Sequence, residues 1–312
     1  MTVVEEAGVA GIPAGTHGPA TWLGGRFRLD ERISAAGGLS LWKATDELLG
    51  RPVAVYLLPS GLEVPRSVVE AVQAAARVND PRLATVYDTD YGIEGPHIVS
   101  EWTPGTHLED LVLSGLPSPA LAAAMIADAA DALAVAHQAG RPHLCLSPRS
   151  LRWDAGSGLK ITGLGIDAAL SGANACDPGA ADTSALARML YALLTGYWPG
   201  EEATALPAAP RHRGGLYTPR QVRAGVPGIL DAITCHALQI QPPSAPRSVL
   251  TPAGLAMALH SVQRPSRPPF RPAEPAGCAP VLAQDTRSPR RFRHARARAG
   301  VRHRTTLLRP AA

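Results

Sequence analysis

Lysine is almost missing from this sequence: Lys43 and Lys160 stand against 28 arginines in 312 residues. Chemistry that needs a lysine amine, as a Schiff base or as a point charge on phosphate, is thereby confined to two positions. Cysteine is scarce as well. Cys145, Cys176, Cys235 and Cys278 lie far apart, with no CxxC pair and no histidine at zinc-ligand spacing. That excludes a disulfide framework and a structural zinc site, and it reads as unpaired thiols in a reducing cytoplasm. The N-terminal stretch MTVVEEAGVAGIPAGTHGP starts acidic and has no basic segment leading into an apolar run, so no signal peptide is read there. The most apolar long stretch, 119–139, is interrupted by Asp128 and Asp131. It reads as a buried helix of a globular protein rather than a membrane span.

What is present is unevenly placed. Residues 264–312 carry twelve arginines against Glu274 and Asp285, a local net of +10, while the other 263 residues hold 18 basic and 24 acidic groups, net −6. The basic character belongs to the tail and not to the body, which argues against a nucleic-acid-binding domain. Residues 1–24 are Gly/Ala/Pro-rich without periodicity and read as a flexible leader. From Phe27 short apolar runs alternate with turn residues. They predict strands around Phe27–Leu29, Leu41–Ala44, Pro52–Leu58, Thr85–Tyr87 and His97–Trp102, with a helix from Pro65 to Val78 between the third and fourth. The second half predicts helices over Ser118–Gln138, Asp182–Leu194, Val226–Gln239 and Pro252–Val262, with Ser118 as a cap. Short strands and loops fill 143–166. Beyond residue 263 no pattern is able to bury a core.

The order of these elements, together with "FRLDERISAAGGLSLWKATDELLGRPVAVYLL", "GPHIVSEWTPGTHLEDLV", "ALAVAHQAGRPHLCLSPRSLRWDAGSGLKITGLGID" and "DTSALARMLYALLTGYWPG", resembles the bacterial eukaryotic-type Ser/Thr protein kinases. The resemblance covers about residues 26–263. It implies an α+β, two-lobed protein kinase-like fold: leader 1–25, N-lobe 26–103, C-lobe 104–263 with a shortened activation segment, and a disordered Arg-rich tail 264–312.

Within that frame, unusual residues stand at the chemical positions. The three glycines of the phosphate loop fall on Ser34, Ala36 and Leu39, and the remaining Gly37-Gly38 reads as a hairpin turn. Tyr56 holds the place of the strand lysine and is neutral at pH 7. The helix glutamate that would pair with that lysine falls on Ala71, with Glu70 one residue away. Cys145 takes the place of the catalytic-loop aspartate, Ser150 that of the asparagine, and Gly163 that of the metal-binding aspartate. Cys145 has no flanking cation to support a thiolate and reads as a small core-facing thiol. Lys43 is the candidate stand-in for the lysine, and Lys160 reads as a cap on a surface strand. From Gly163 to Asp182 only 19 residues are available, about half the length the resemblance implies for an activation loop, and no A-P-E motif is present. His143, Asp182, the Glu101-Trp102 hinge and Trp198-Pro199 read as retained scaffold.

The expectation is therefore a catalytically inactive, regulatory or scaffolding protein, not an enzyme, with no metal site and no obligatory cofactor. A vestigial nucleotide cleft would be formed by Ala36, Gly37, Ala54, Glu101 and Thr103. The alternatives are a weak or atypical ATP-dependent Ser/Thr kinase and a sensor that binds nucleotide without Mg²⁺. The likeness is nearest to actinobacterial kinase-like modules associated with the lipid II flippase. It implies a cytoplasmic, membrane-associated regulator of peptidoglycan synthesis whose partner is a cell-wall synthesis component or a phosphothreonine reader acting at Thr305 or Thr306. The tail reads either as a basic segment drawn to anionic lipid or as a truncated or out-of-frame end.

Overall fold

Turn residues placed between short apolar runs fold the first part of the chain into a meander. The computed structural model describes residues 18–36, 38–59, 63–92, 95–240 and 251–262. Its first strands are β1 (Trp22–Leu23), β2 (Phe27–Ala36), β3 (Leu39–Asp46) and β4 (Arg51–Leu57). The helix α1 (Arg66–Ala75) precedes β5 (Val86–Asp90) and β6 (His97–Glu101). The six strands form one antiparallel sheet in the order β1-β2-β3-β4-β6-β5. The leader expected through residue 25 ends sooner, because Leu23 is buried and pairs with Phe27.

Alternation along the strands sorts side chains to two faces. Leu29, Trp42, Ala44, Val53, Val55 and Leu57 close a core on one side. Tyr56, Leu58 and Ile98 pack on the other side with Val68 and Val72 of α1. The β3–β4 turn is anchored by Asp46, whose buried carboxylate accepts from Arg26 Nε at 2.9 Å and Nη2 at 2.8 Å.

The second part contains α2 (Leu108–Ser114), α3 (Pro119–Gln138), α4 (Asp167–Ser171), α5 (Pro178–Thr195), α6 (Pro219–Val222), α7 (Gly228–Ala237) and α8 (Pro252–His260). Between them lie a three-stranded sheet of β7 (Thr106–His107), β8 (Leu151–Asp154) and β9 (Gly158–Ile161), and a hairpin of β10 (Arg211–His212) and β11 (Gly215–Leu216). Ser118 caps α3 as expected, accepting from Leu121 N–H at 3.2 Å, with proline in the first turn. α3 is long and apolar enough to cross a membrane by length and composition, yet 56% of that window is buried. Ala122, Ala123, Ala127 and Ala130 are fully or nearly buried, and the helix packs against α5 and α8, as a core helix does. α5 begins a turn before Asp182, because Asp177 caps it by accepting from Ala180 N–H at 2.9 Å.

The two parts are stitched together by main chain. Leu83 and Ile161 form a parallel bridge, Ala84 N–H donates to Ile161 O at 2.8 Å, and Ile161 N–H donates to Arg82 O at 2.7 Å. A curled antiparallel sheet with one helix, followed by a helical region, is a two-lobed protein kinase-like α+β fold.

Candidate functional site

Beneath the sheet lies a cleft of about 280 Å³, just under the usual size of small-molecule sites. The sheet contributes Ser34 and Ala36 of β2, Leu39 of β3, and Ala54 and Tyr56 of β4. The end of β6 and the segment after it contribute Ser100, Glu101, Trp102 and Thr103, and the helical part adds His107, Ser147, Arg149, Ser150, Arg152, Thr162 and Asp167. Ala36, Ala54, Glu101 and Thr103 thus come together in one cavity; Gly37 lies outside the described residues. Cys278, Thr305, Thr306 and the tail lie outside them too.

Tyr56 is buried on the cleft side of β4, opposite Leu41 and Ile98. Burial pushes its phenol well above the ordinary value, Asp167 acts in the same direction, and Arg152 opposes it. Its hydroxyl is therefore a neutral hydrogen-bonding group at all physiological pH.

Under the cleft, Asp182 holds the catalytic-loop segment together. Its carboxylate accepts from His143 N–H at 2.8 Å, Leu144 N–H at 2.7 Å and His137 Nε2 at 2.7 Å. These bonds fix Leu144 at φ +63°, a conformation that L-residues seldom adopt. His143 is fully buried and donates from Nε2 to Thr162 O at 2.8 Å. Cys145 does not face the core as expected. It is half-buried, with Sγ 3.3 Å from Ser171 Oγ of α4, and burial pushes its thiol above the ordinary value. Such a thiol is neither a base nor a ready nucleophile near neutral pH. Ser150 is buried, and its hydroxyl accepts from Ser147 N–H at 3.1 Å.

Both lysines differ from or sharpen the sequence reading. Lys160 does not cap a surface strand: it forms an ion pair with Glu101 at 2.6 Å, linking β9 to the end of β6. Lys43 lies over the Trp102 ring, 5.4 Å from its centroid, and does not line the cleft. Glu70 pairs with Arg66 on an exposed face of α1.

Sequence reasoning passed over two charged side chains in the cleft. Arg152 Nη2 donates to His107 Nε2 at 2.9 Å and Nη1 donates to Gly105 O at 3.0 Å. Because a guanidinium only donates, His107 must carry its proton on Nδ1, which donates to Arg149 O at 2.8 Å. Burial and the neighbouring Arg152 charge both pull the His107 ring below its ordinary value, keeping it neutral. Burial likewise pulls Arg152 below the usual guanidinium value, and among the described residues it has no ion-pair partner. Arg149, by contrast, is paired with the buried Glu109 at 2.9 Å.

Asp167 is the second. Gly163 at φ +85° and Gly165 at φ +70° turn the chain back sharply, so that Ile166 N–H and Asp167 N–H both donate to Gly163 O at 3.0 Å. The turn brings the Asp167 carboxyl back over Gly163, where a Cβ would collide with Oδ2. A Cβ on Gly165 would collide with that of Ala75 in α1, which locks the turn against the helix. Burial pushes the Asp167 carboxyl up to about 6, with His143 opposing. Among the described residues it makes no hydrogen bond or ion pair. The cleft therefore holds one unpaired cation and one unpaired carboxylate. The signal was an aspartate four residues after the first glycine of a G-x-G, but its direction depends on two backbone angles that composition does not encode.

No cluster of three or more His, Cys, Asp or Glu among the described residues could hold a metal alone. Mg²⁺, however, is commonly bound through one or two carboxylates plus substrate phosphates. A single carboxylate in a cleft also lined by Ser150 and Thr162 fits that mode and no all-protein cage.

No family model matches the chain. It is similar to serine/threonine-protein kinase PknB of Mycobacterium leprae, 27% identical over 278 residues, covering 79% of this chain and 45% of the relative. It is also similar to PknB of Mycolicibacterium smegmatis, 28% identical over 310 residues, covering 86% and 50%. Serine/threonine-protein kinase PknL of Mycobacterium tuberculosis is 27% identical over 262 residues, covering 74% and 65%. The chain spans about half the length of the PknB relatives. The homologues of this chain are thus bacterial serine/threonine protein kinases. That finding corrects the expectation that the chain is not an enzyme: its relatives are kinases by name, and they point to kinase activity.

Proposed function

We propose that the cleft binds an adenine nucleotide and that the chain is an atypical ATP-dependent serine/threonine protein kinase working in signalling. The observation that carries this reading is the cleft, which runs from the hinge residues Glu101 to Thr103 to Ser150, Thr162 and Asp167 in a kinase-like fold. The names of the relatives support it. Arg152, the cleft cation without an acidic partner, is the group to meet an anionic ligand, and neutral His107 holds it in place as an acceptor. Desolvation by Tyr56, Leu39 and Leu41 strengthens that charge interaction. In the transfer itself, the γ-phosphoryl leaves as its bond to the diphosphate breaks, bonds to a protein hydroxyl oxygen, and the hydroxyl proton passes to solvent. The cell-envelope setting and the protein partner implied by the sequence resemblance belong to this same proposal.

Calorimetric titration with ATP, paired with radiolabelled phosphate transfer to the protein itself or to a generic substrate, tests the reading. The expected results are saturable binding, weakened about tenfold in Arg152→Ala (one charge-assisted contact), and incorporation of label above background. Absence of nucleotide binding would overturn the cleft assignment. Binding without incorporation would overturn the kinase assignment and leave a nucleotide sensor.

A further inference from the structure

Gly163 carries no side chain, yet the space its side chain would enter is filled. A Cβ at this position would run into Oδ2 of Asp167 and would lie 2.9 Å from Oδ1. The carboxylate therefore occupies the spot that a residue at 163 would reach, arriving from four residues further along. It gets there because Gly163 and Gly165 both take positive φ and because α1 closes on Gly165. The carboxylate faces the cleft and has no hydrogen-bond or ion-pair partner among the described residues. An unpaired carboxylate held by a rigid turn in a half-buried cavity is costly without a counter-charge. None of the nearby basic side chains bonds to it: Arg149 is engaged by Glu109, Lys160 by Glu101, and Arg152 by His107 and Gly105 O. Ser150 and Thr162, which also line the cleft, add hydroxyl oxygens and no charge.

We propose that Asp167 is the carboxylate that binds a divalent cation of the Mg²⁺ class against the phosphates of the cleft nucleotide, with the Ser150 hydroxyl as a neighbouring oxygen donor. A hard cation held by one carboxylate, phosphate oxygens and water suits this donor set. The inference rests on the nucleotide reading of the cleft. It adds to it that metal binding is conferred by a residue displaced one helical turn along the sequence.

The test uses the full chain, a non-hydrolysable ATP analogue and two readouts other than turnover. The first is analogue affinity in EDTA and in Mg²⁺. The second is the electron paramagnetic resonance signal of Mn²⁺, a spectroscopic substitute of the same oxygen-ligand class. In the unmodified protein, Mg²⁺ is expected to tighten the analogue about tenfold, and bound Mn²⁺ is expected only with the analogue present. In Asp167→Asn the affinity in EDTA should be retained, while the Mg²⁺ enhancement and the nucleotide-dependent Mn²⁺ signal disappear. Asp167→Ser, which also removes the carboxylate, repeats the measurement should the asparagine variant fold poorly, with circular dichroism as the control. Full Mg²⁺ enhancement in a folded variant overturns this inference and leaves the nucleotide reading standing, as does an analogue that binds unmodified protein equally in EDTA and Mg²⁺. An analogue that binds under neither condition overturns both.

Discussion

Asp182 and Asp167 lie on either side of the same loop and meet opposite conditions. Asp182, fully buried, accepts from two main-chain N–H groups and from His137. Asp167, half-buried at the cleft, accepts from nothing described and has its carboxyl pushed up to about 6. The first carboxylate is part of what makes the loop rigid. The second is a burial cost without a bonded partner among the described residues, a common mark of a functional position.

Breaking the satisfied carboxylate should have the largest effect. Asp182→Ala strands two N–H donors and the strained Leu144, and is expected to cost about 3–5 kcal/mol, read from urea denaturation midpoints. A packing test comes next. Gly165→Ala forces a methyl against Ala75 at a positive φ and should cost about 2–3 kcal/mol. Adding Ala75→Gly in the same chain should recover the steric share and leave the backbone share, about 1 kcal/mol. A paired carboxylate far from the cleft sharpens the contrast. Asp46→Asn should cost about 1.5–3 kcal/mol near pH 7, because Asp46 accepts charged hydrogen bonds from Arg26.

That third loss carries a pH signature. The Arg26 bonds hold Asp46 below its ordinary value of 3.8. The ionised group's contribution is complete above 3.8 and disappears as pH falls through the lower folded value. Thermal melts of the two proteins should therefore differ at pH 7 and converge in strong acid. The smallest effect should have the opposite sign. Asp167→Asn removes a half-buried charge without a partner, and at pH 7 without ligand it should stabilise the fold by about 1 kcal/mol. Loss of stability there, comparable to that of Asp182→Ala, would erase the distinction between the two carboxylates.

Much of the scaffold was legible because its signals are local. The apolar run Pro52–Leu58 and the Ser118 cap each depend on neighbours within a few residues. Of the residues expected at a nucleotide cleft, Ala36, Ala54, Glu101 and Thr103 line one cavity, and Gly37 lies outside the described residues. Lys160 was misplaced because its partner Glu101 is 59 residues away in sequence. Cys145 was misplaced because α4 was not expected in the interval after Gly165, and it is Ser171 of α4 that meets the thiol. Arg152 was overlooked since its role follows from the tautomer of His107, which three contacts decide together. The expectation of inactivity weighed residues position by position. The relatives correct it, and the charges at Arg152 and Asp167 were outside that count.

The near-absence of lysine and the spacing of strands, caps and helices were fixed by sequence alone, since hydrophobic period and capping act over one or two turns. Where the cleft keeps its charge was decided only by tertiary structure. Two glycines in positive φ, the second closed upon by α1, turn Asp167 back into the space that a side chain at Gly163 would enter. No local rule encodes that reversal, because its energy lies in the packing of Gly165 against Ala75.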